Sequence, residues 1–451
     1  MMASPNAAPA LVVIGSSTAT ARRPDLEHAH IARDKLMASL PAARRVLAWG
    51  RAPLRTAYLA QHPGSVWQQA ESLAALEDTT QGPFDLIVLT DGLEEAADPS
   101  ALLRALRRHA HAQTLLALAA LHEPSLDRLR RWVEADLTTD DAASGGLHRW
   151  SRASTTKLLM DAGWMPSVAD AVIEAPRDEP FTQAALQLAA VAGVPATTAC
   201  QQWGLRQAIV HAHATFDPCD APAHRAVACN FAVVVPTTRE TQLRLNVEAS
   251  PGLREVDARV ISVRRAASPA DALARAREHV HEDWILLCHQ DVYFAPSFGH
   301  RLAALLDTVP AEERARTLIG FAGIGVNRAS EAYEQAGFVI DRSHCFDRPA
   351  SDTAVSIDEL ALVLPRESVL QIDPALGWHL WATDLCLQAI CTQRFFPRIV
   401  RVPLFHNSLS DHQLPAAFHE SARVLAAKHP GFGSIHTLCG VIGAGAAGGR
   451  R

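Results

Sequence analysis

The sequence predicts an α/β protein of two domains, and three observations carry that expectation. Short apolar runs ending on glycine or polar residues alternate with amphipathic stretches, first from Arg44 and again from Phe231. Thr215 to Pro222, with two prolines and no periodicity, separates the two series. At 451 residues the chain is also too long for one ordinary hydrophobic core.

Residues 1–30, small and polar around the apolar piece Ala10 to Gly15, read as a loose leader. Residues 31–214 form the first domain. Arg45 to Gly50 is a short strand ended by glycine, and Asp85 to Asp91 is a continuous, β-branched run of the buried parallel kind. Pro99 to His109 is a helix with proline in its first turn and Leu102, Leu103 and Leu106 at helical spacing. Thr114 to Leu121 is a third strand candidate, although its alanines and leucines equally suit a helix. Phe181 to Ala214 reads as mostly helical and closes the domain.

A linker at 215–224 leads to a second domain at 225–435 and a flexible tail at 436–451. Phe231 to Val235 is a strand closed by Pro236-Thr237-Thr238, and Ala258 to Val263 is another. Ser268 before Pro269 marks a helix start, serine as cap and proline at the first helical position. Trp284 to Cys288 is a buried strand ending on His289-Gln290-Asp291. Ligands of such sheets bind beyond the carboxyl ends of the strands, where Pro236-Thr237 and His289-Gln290-Asp291 both fall.

The formal charge of −6, with arginines mixed among acids as in Glu312 to Arg316, argues against nucleic-acid binding by phosphate neutralisation. No apolar run approaches the roughly 20 residues that cross a bilayer, and no basic region precedes the N-terminal apolar piece. The eight cysteines show no C-x-x-C pair, which fits free thiols in a reducing cytoplasm.

Three local signals carry chemistry. Asp291 follows a buried strand, where a carboxylate can hold a divalent cation that neutralises a nucleotide diphosphate; oxygen and imidazole ligands suit Mn²⁺ or Mg²⁺. The plain alternative is a capping aspartate, the commoner role of an isolated one. Asp384 opens an amphipathic stretch behind Trp378, His379 and Trp381. The tryptophans can stack on sugar faces while the carboxylate takes a hydroxyl proton; equally, Asp384 is an N-cap and the tryptophans are core. His406 ends an apolar strand from Val402, either completing a metal shell or satisfied at the strand end.

In order and spacing, the Val-Pro-Thr loop, His-Gln-Asp-Val, Gly-Phe-Ala-Gly, the His379 to Ala389 run and His406-Asn407-Ser408 resemble a known family. They are similar to the family 2-like GT-A glycosyltransferases, in the branch first described from a streptomycin-biosynthesis protein, over roughly Ala226 to Ser410. The resemblance implies a nucleotide-diphospho-sugar transferase fold and an inverting, metal-assisted transfer from a nucleotide sugar to a glycan, lipid-linked or small-molecule acceptor. It implies Asp384 as base, Asp291 and His406 on the metal, and Pro236, Thr237, His289, Gln290 and Asp291 on the donor. Trp378, His379 and Trp381 are expected to meet the acceptor, and Gly320, Gly323 and Gly325 to lie where backbone passes close to donor or acceptor, with loop flexibility as the plain alternative. His289 replaces the first Asp of the family's Asp-x-Asp motif.

In the first half, Phe84 to Glu95, Asp98-Pro99, His148 to Ser151 and Leu158 to Trp164 resemble the latter part of class I S-adenosylmethionine-dependent methyltransferases, implying a Rossmann-like sheet. That family's acidic residue and Gly-x-Gly loop is replaced here by Ala48-Trp49-Gly50-Arg51-Ala52-Pro53. Losing those glycines removes the tight turn and close approach a cofactor needs. The implied domain is degenerate, a scaffold or docking module without S-adenosylmethionine. A bifunctional methyltransferase/glycosyltransferase and a non-catalytic nucleotide-sugar or glycan-binding protein are the alternatives.

Overall fold

The computed structural model describes residues 24–50, 54–77, 82–90, 93, 96–122, 150–173, 180–214, 229–409 and 413–443. The chain divides into two compact units, Met1–Pro218 with Leu409–Asp411, and Cys219–Ser408 with His412–Arg451.

In the first unit, β1 (Arg45–Trp49), β2 (Val66–Ala70), β3 (Phe84–Leu89), β4 (Ala110–Leu121), β5 (Met165–Ile173) and β6 (Leu205–His213) form one sheet. Its order is β2-β1-β3-β4-β6-β5. The first four strands pair in parallel, and β6 runs antiparallel to both β4 and β5. Alternate residues of β1 and β3 serve opposite cores. Leu47, Ile87 and Leu89 meet Leu102, Leu103 and Leu106 of the helix Pro99–Arg107. Val46, Leu86 and Val88 meet Ala32 and Leu36 of the helix Pro24–Ser39. Burial on both faces is why these strands read as unbroken apolar runs. Asp98 caps the first of these helices by accepting from the Ala101 N–H.

The strand candidate at Thr114 is part of β4. Two expectations are corrected here. Residues 24–30 belong to a helix rather than a leader. Leu205–His213, expected as helix, is strand β6. Its small and β-branched residues Ala208, Ile209, Val210 and Ala212 are buried between β4 and β5, where neighbours on both sides supply a ladder that no local pattern announces. The linker at 215–224, Arg51 to Pro53, and His148-Arg149 lie outside the described residues.

The second unit contributes β7 (Phe231–Thr237), β8 (Val260–Arg264), β9 (Trp284–Cys288), β10 (Val292–Tyr293), β11 (Ile319–Gly320), β12 (Ala322–Val326), β13 (Tyr333–Asp341), β14 (His344–Arg348), β15 (Ala354–Ile357), β16 (Ala361–Pro365), β17 (Arg398–Ile399) and β18 (Leu404–His406). One sheet has the order β17-β11-β16-β9-β7-β8, and a second runs β10-β18-β13-β12-β15 with β14 on β13. In the first of these, β7, β8 and β9 are parallel and β16 lies antiparallel to β9. The buried run Trp284 to Cys288 forms β9 as its composition requires. Ser268 caps the helix Pro269–Arg277 through the Asp271 N–H. Residues 436–443, expected as flexible tail, belong to the hairpin of β19 (Ser434–Thr437) and β20 (Gly440–Gly443), whose Ile435 and Ile442 are buried in the core; 444–451 lie outside the described residues. Among the described residues, no helix is long and apolar enough to cross a membrane.

Candidate metal centre and its cleft

After β9 the middle of three successive side chains points away from the other two. Gln290 reaches back to the loop after β7, where its Oε1 accepts from the Thr238 and Arg239 N–H groups at 2.9 and 2.8 Å. His289 and Asp291 turn instead toward β18. That strand pairs antiparallel with β10, setting Val292 opposite His406, and the Asn407 N–H donates to the Asp291 carbonyl at 2.8 Å. Sheet pairing thus brings together residues that are far apart in sequence.

The result is a cluster of His289, Asp291 and His406 whose candidate ligand atoms all lie within 4.8 Å of one another. His406 Nε2 is 3.6 Å from Asp291 Oδ1, and its Nδ1 is 2.9 Å from Asp341 Oδ1. The second contact orients the ring, as carboxylates behind metal-binding histidines commonly do. Burial pulls the His406 imidazole down, but the carboxylates of Asp291 and Asp341 outweigh it and hold the ring protonated up to about 10. Burial likewise works against charge on Asp291, yet His406 keeps its carboxyl well below the usual range. His289 is exposed to solvent, with protein groups crowding its ring. That crowding lowers its pKa against the pull of Asp291 and favours the neutral imidazole, the form that ligates metal. Two imidazoles and one carboxylate suit Mn²⁺, Fe²⁺ or Zn²⁺; a wholly oxygen-seeking Mg²⁺ fits this donor set poorly.

A cleft of about 320 Å³ opens beside the cluster, with His406, Asp341, Arg342 and Asp358 in its wall. Arg342 donates to Asp341 Oδ2 at 3.1 Å. Asp358 has one oxygen held by the Leu360 N–H. Next to it, burial first and the Asp358 charge second push the Glu359 carboxyl up to about 8. Glu359 accepts from the Leu380 N–H while its Oε1 is buried without a hydrogen-bond partner. The sequence reading missed Asp341, Asp358 and Glu359. The signal that found Asp291, an acid just past an apolar strand, was also present after Ala354–Ile357.

Several expected site residues are placed differently. Asp384 is completely buried in the first turn of the helix Trp381–Gln393, and its carboxylate is fully engaged. Oδ1 contacts His429 Nε2 at 2.7 Å, while Oδ2 accepts from Lys428 Nζ at 2.9 Å and Gln388 Nε2 at 2.7 Å. A carboxylate clamped between two helices this way has no open oxygen for an acceptor hydroxyl. Leu380, not Asp384, stands at the N-cap. Trp381 is core, packed with Leu380 and Leu385, and cannot stack on a sugar; Trp378 is 40% exposed and can. His379 sets its ring edge against Phe418, and burial lowers its pKa. Thr237 is buried, its hydroxyl donating to the Val235 carbonyl and accepting from Ser262. Pro236 lies half-buried beside it at the end of β7.

Close approach at the glycines is to neighbouring chain rather than ligand. A Cβ on Gly323 would lie 2.1 Å from the Ser356 carbonyl oxygen, and one on Gly320 2.5 Å from the Ile357 side chain. Gly325 meets Ser351 in the same way.

In the first unit, Gly50 ends β1 with φ 109°, a conformation glycine adopts freely. Glu71 stands one residue past β2 and 21 residues after Gly50. Dinucleotide-binding sheets place a ribose-binding acid at about that spacing.

No family model matches the sequence, and no curated protein matches it either. Solved structures do. One is the complex of a methyltransferase with a Haloferax volcanii methyltransferase activator: 15% identity, TM-score 0.27, covering 43% of this chain and 92% of that one. The mitomycin 7-O-methyltransferase MmcR matches at 15% identity and TM-score 0.25, over 40% of this chain and 52%, about half, of its own. The YcgJ protein of Bacillus subtilis matches at 11% identity and TM-score 0.27, over 42% of this chain and 100% of its own. Nothing in these matches supports the glycosyltransferase resemblance of the second half. The chain is an α/β protein with a Rossmann-like, mainly parallel sheet in its first unit and further sheets in its second.

Proposed function

We propose that the second unit binds a nucleoside-diphosphate sugar through a divalent cation on His289, Asp291 and His406 and passes the sugar to an acceptor hydroxyl with inversion. The observation that carries this reading is the cluster itself, at the carboxyl end of a parallel strand. A bound cation would supply charge neutralisation for a departing diphosphate. Around it, Asp341 orients His406, Gln290 fixes the loop after β7, and Arg342 adds positive charge to the cleft wall. Because Asp384 is locked in its ion pairs, the proton of the acceptor hydroxyl passes instead to Asp358, a carboxylate of the same cleft. Trp378 offers an exposed face for the acceptor sugar. Titration calorimetry with a nucleoside diphosphate, in Mn²⁺ and then in chelator, tests the reading. Metal-dependent binding abolished by Asp291→Ala supports it, and equal binding in chelator overturns it.

The occupied carboxylate of Asp384 favours a second reading, a non-catalytic nucleotide-sugar or glycan-binding protein. Metal-dependent binding without hydrolysis or transfer of any nucleotide sugar, and unaffected by Asp358→Asn, would select it. The first unit's sheet, with Gly50 and Glu71 beyond its strand ends, keeps the bifunctional reading in view. Binding of S-adenosylmethionine by the full chain, lost in Glu71→Ala, would favour that reading.

A further inference from the structure

A cavity of the second unit is larger than the metal cleft. It has a volume of about 880 Å³ and lies where β12 ends and β13 begins, against the segments at Ser351 and Arg394 to Arg398. That is near the upper end of the roughly 300–1,000 Å³ typical of small-molecule sites. Gln335 borders both this cavity and the cleft. The cavity lies toward the Tyr333 end of β13, and the cleft toward its Asp341 end.

Three carboxylates, Glu313, Glu334 and Asp352, and three arginines, Arg328, Arg394 and Arg398, line the wall, so its formal charges balance and what matters is how they pair. Arg398 is spent on Glu313 and Asp352, at 3.8 and 3.9 Å. Glu334 accepts from the Asn327 side chain at 3.0 Å. Arg328 and Arg394 have no carboxylate partner among the described residues. The Arg328 guanidinium lies over the Phe396 ring, 6.0 Å from its centroid. Stacked on an aromatic face, a guanidinium keeps its N–H edge available for bidentate contact with an anion. Phe396 is itself 39% exposed, and Phe395 lines the same wall. The exposed Phe396 ring in a wall that also holds Arg328 and Arg394 matches a pyranose ring that carries a carboxylate or phosphate.

We propose that this cavity binds an acidic carbohydrate, with a sugar face on Phe396 and its anion held by Arg328 and Arg394. The site shares only Gln335 with the lining of the cleft and needs neither metal nor transfer there. In a chain that also glycosylates, it would hold an acceptor some distance from the reacting residue.

The test is calorimetry on the full chain without added metal, using trigalacturonic acid, glucose 6-phosphate and neutral maltotriose. At least one of the two anions is expected to bind about tenfold or more tighter than maltotriose, and Arg328→Ala/Arg394→Ala to weaken it by about tenfold or more. Which anion binds identifies carboxylate or phosphate as the recognised group. Arg275→Ala, at an exposed arginine outside the cavity, is expected to bind like the parent. Mn²⁺ binding by the double variant should also be unchanged, which separates this site from the metal cleft. Maltotriose binding as tightly as the anions, no anion binding at millimolar concentration, or an unaffected double variant would each overturn the proposal.

Discussion

His406 and Asp291 lie 115 residues apart in sequence, yet the imidazole Nε2 and the carboxylate Oδ1 are 3.6 Å apart because β18 pairs with β10. The two carboxylates that flank His406 stabilise positive charge at one point, whether it is a proton or a cation. A metal entering this point near neutral pH must therefore displace the His406 proton. We expect calorimetry in buffers of different ionisation enthalpy to show about one proton released per Mn²⁺, with affinity rising about tenfold per pH unit below the His406 pKa, about 10. An affinity independent of pH would remove His406 from the ligand set.

Asp341 should matter without touching the metal. Its contact with Nδ1 fixes which nitrogen of His406 faces Asp291. Asp341→Asn is expected to weaken Mn²⁺ by about 10- to 100-fold, and His406→Ala by more. A melting curve for each variant, recorded without metal, separates this from unfolding. If Asp341→Asn bound Mn²⁺ like the parent, the orienting role would be wrong.

What the sequence made legible were features written in consecutive residues. The apolar runs of β3, β7 and β9, and the Ser268-Pro269 helix start, depend on local composition and appear where that composition puts them. His289, Asp291 and His406 were legible as strand-end residues, but their meeting depends on the pairing of β10, β13 and β18. Asp384 was misread for the same reason: the groups that occupy it, Lys428 and His429, come 44 and 45 residues later. The glycines near residue 323 looked like room for a ligand because nothing local reveals the backbone of Ser356 lying across them. Asp341 and Asp358 end strands that cannot be ordered without the sheet.

Asp384 is expected to be a stability residue. Its carboxylate is buried and binds Lys428, itself shared with Asp373 at 2.7 Å, so one substitution uncouples two helices. Asp384→Asn leaves positive charge facing a neutral amide, and loss of one partner from a buried pair costs on the order of 3 kcal/mol. Chemical denaturation should show that loss, while Mn²⁺ binding by the folded variant stays at the parent level. A variant as stable as the parent but unable to transfer sugar would restore Asp384 as the base.

Glu359 makes a pH-dependent contribution whose sign is fixed by its burial. Unfolded, its carboxyl titrates near the usual 4.5; folded, burial and Asp358 push it up to about 8. Between those values the folded protein holds a proton that the unfolded chain has released. Its contribution is therefore fully present below about pH 4.5 and is lost as pH rises through about 8. Glu359→Gln keeps the neutral shape and removes the ionisation, so its melting temperature should fall less than the parent's between about pH 5 and pH 8. Parallel curves for the two proteins would show that the carboxyl is already ionised in the fold. In that case Glu359, with its unpartnered Oε1, would add a second negative charge beside Asp358 in the wall of the cleft.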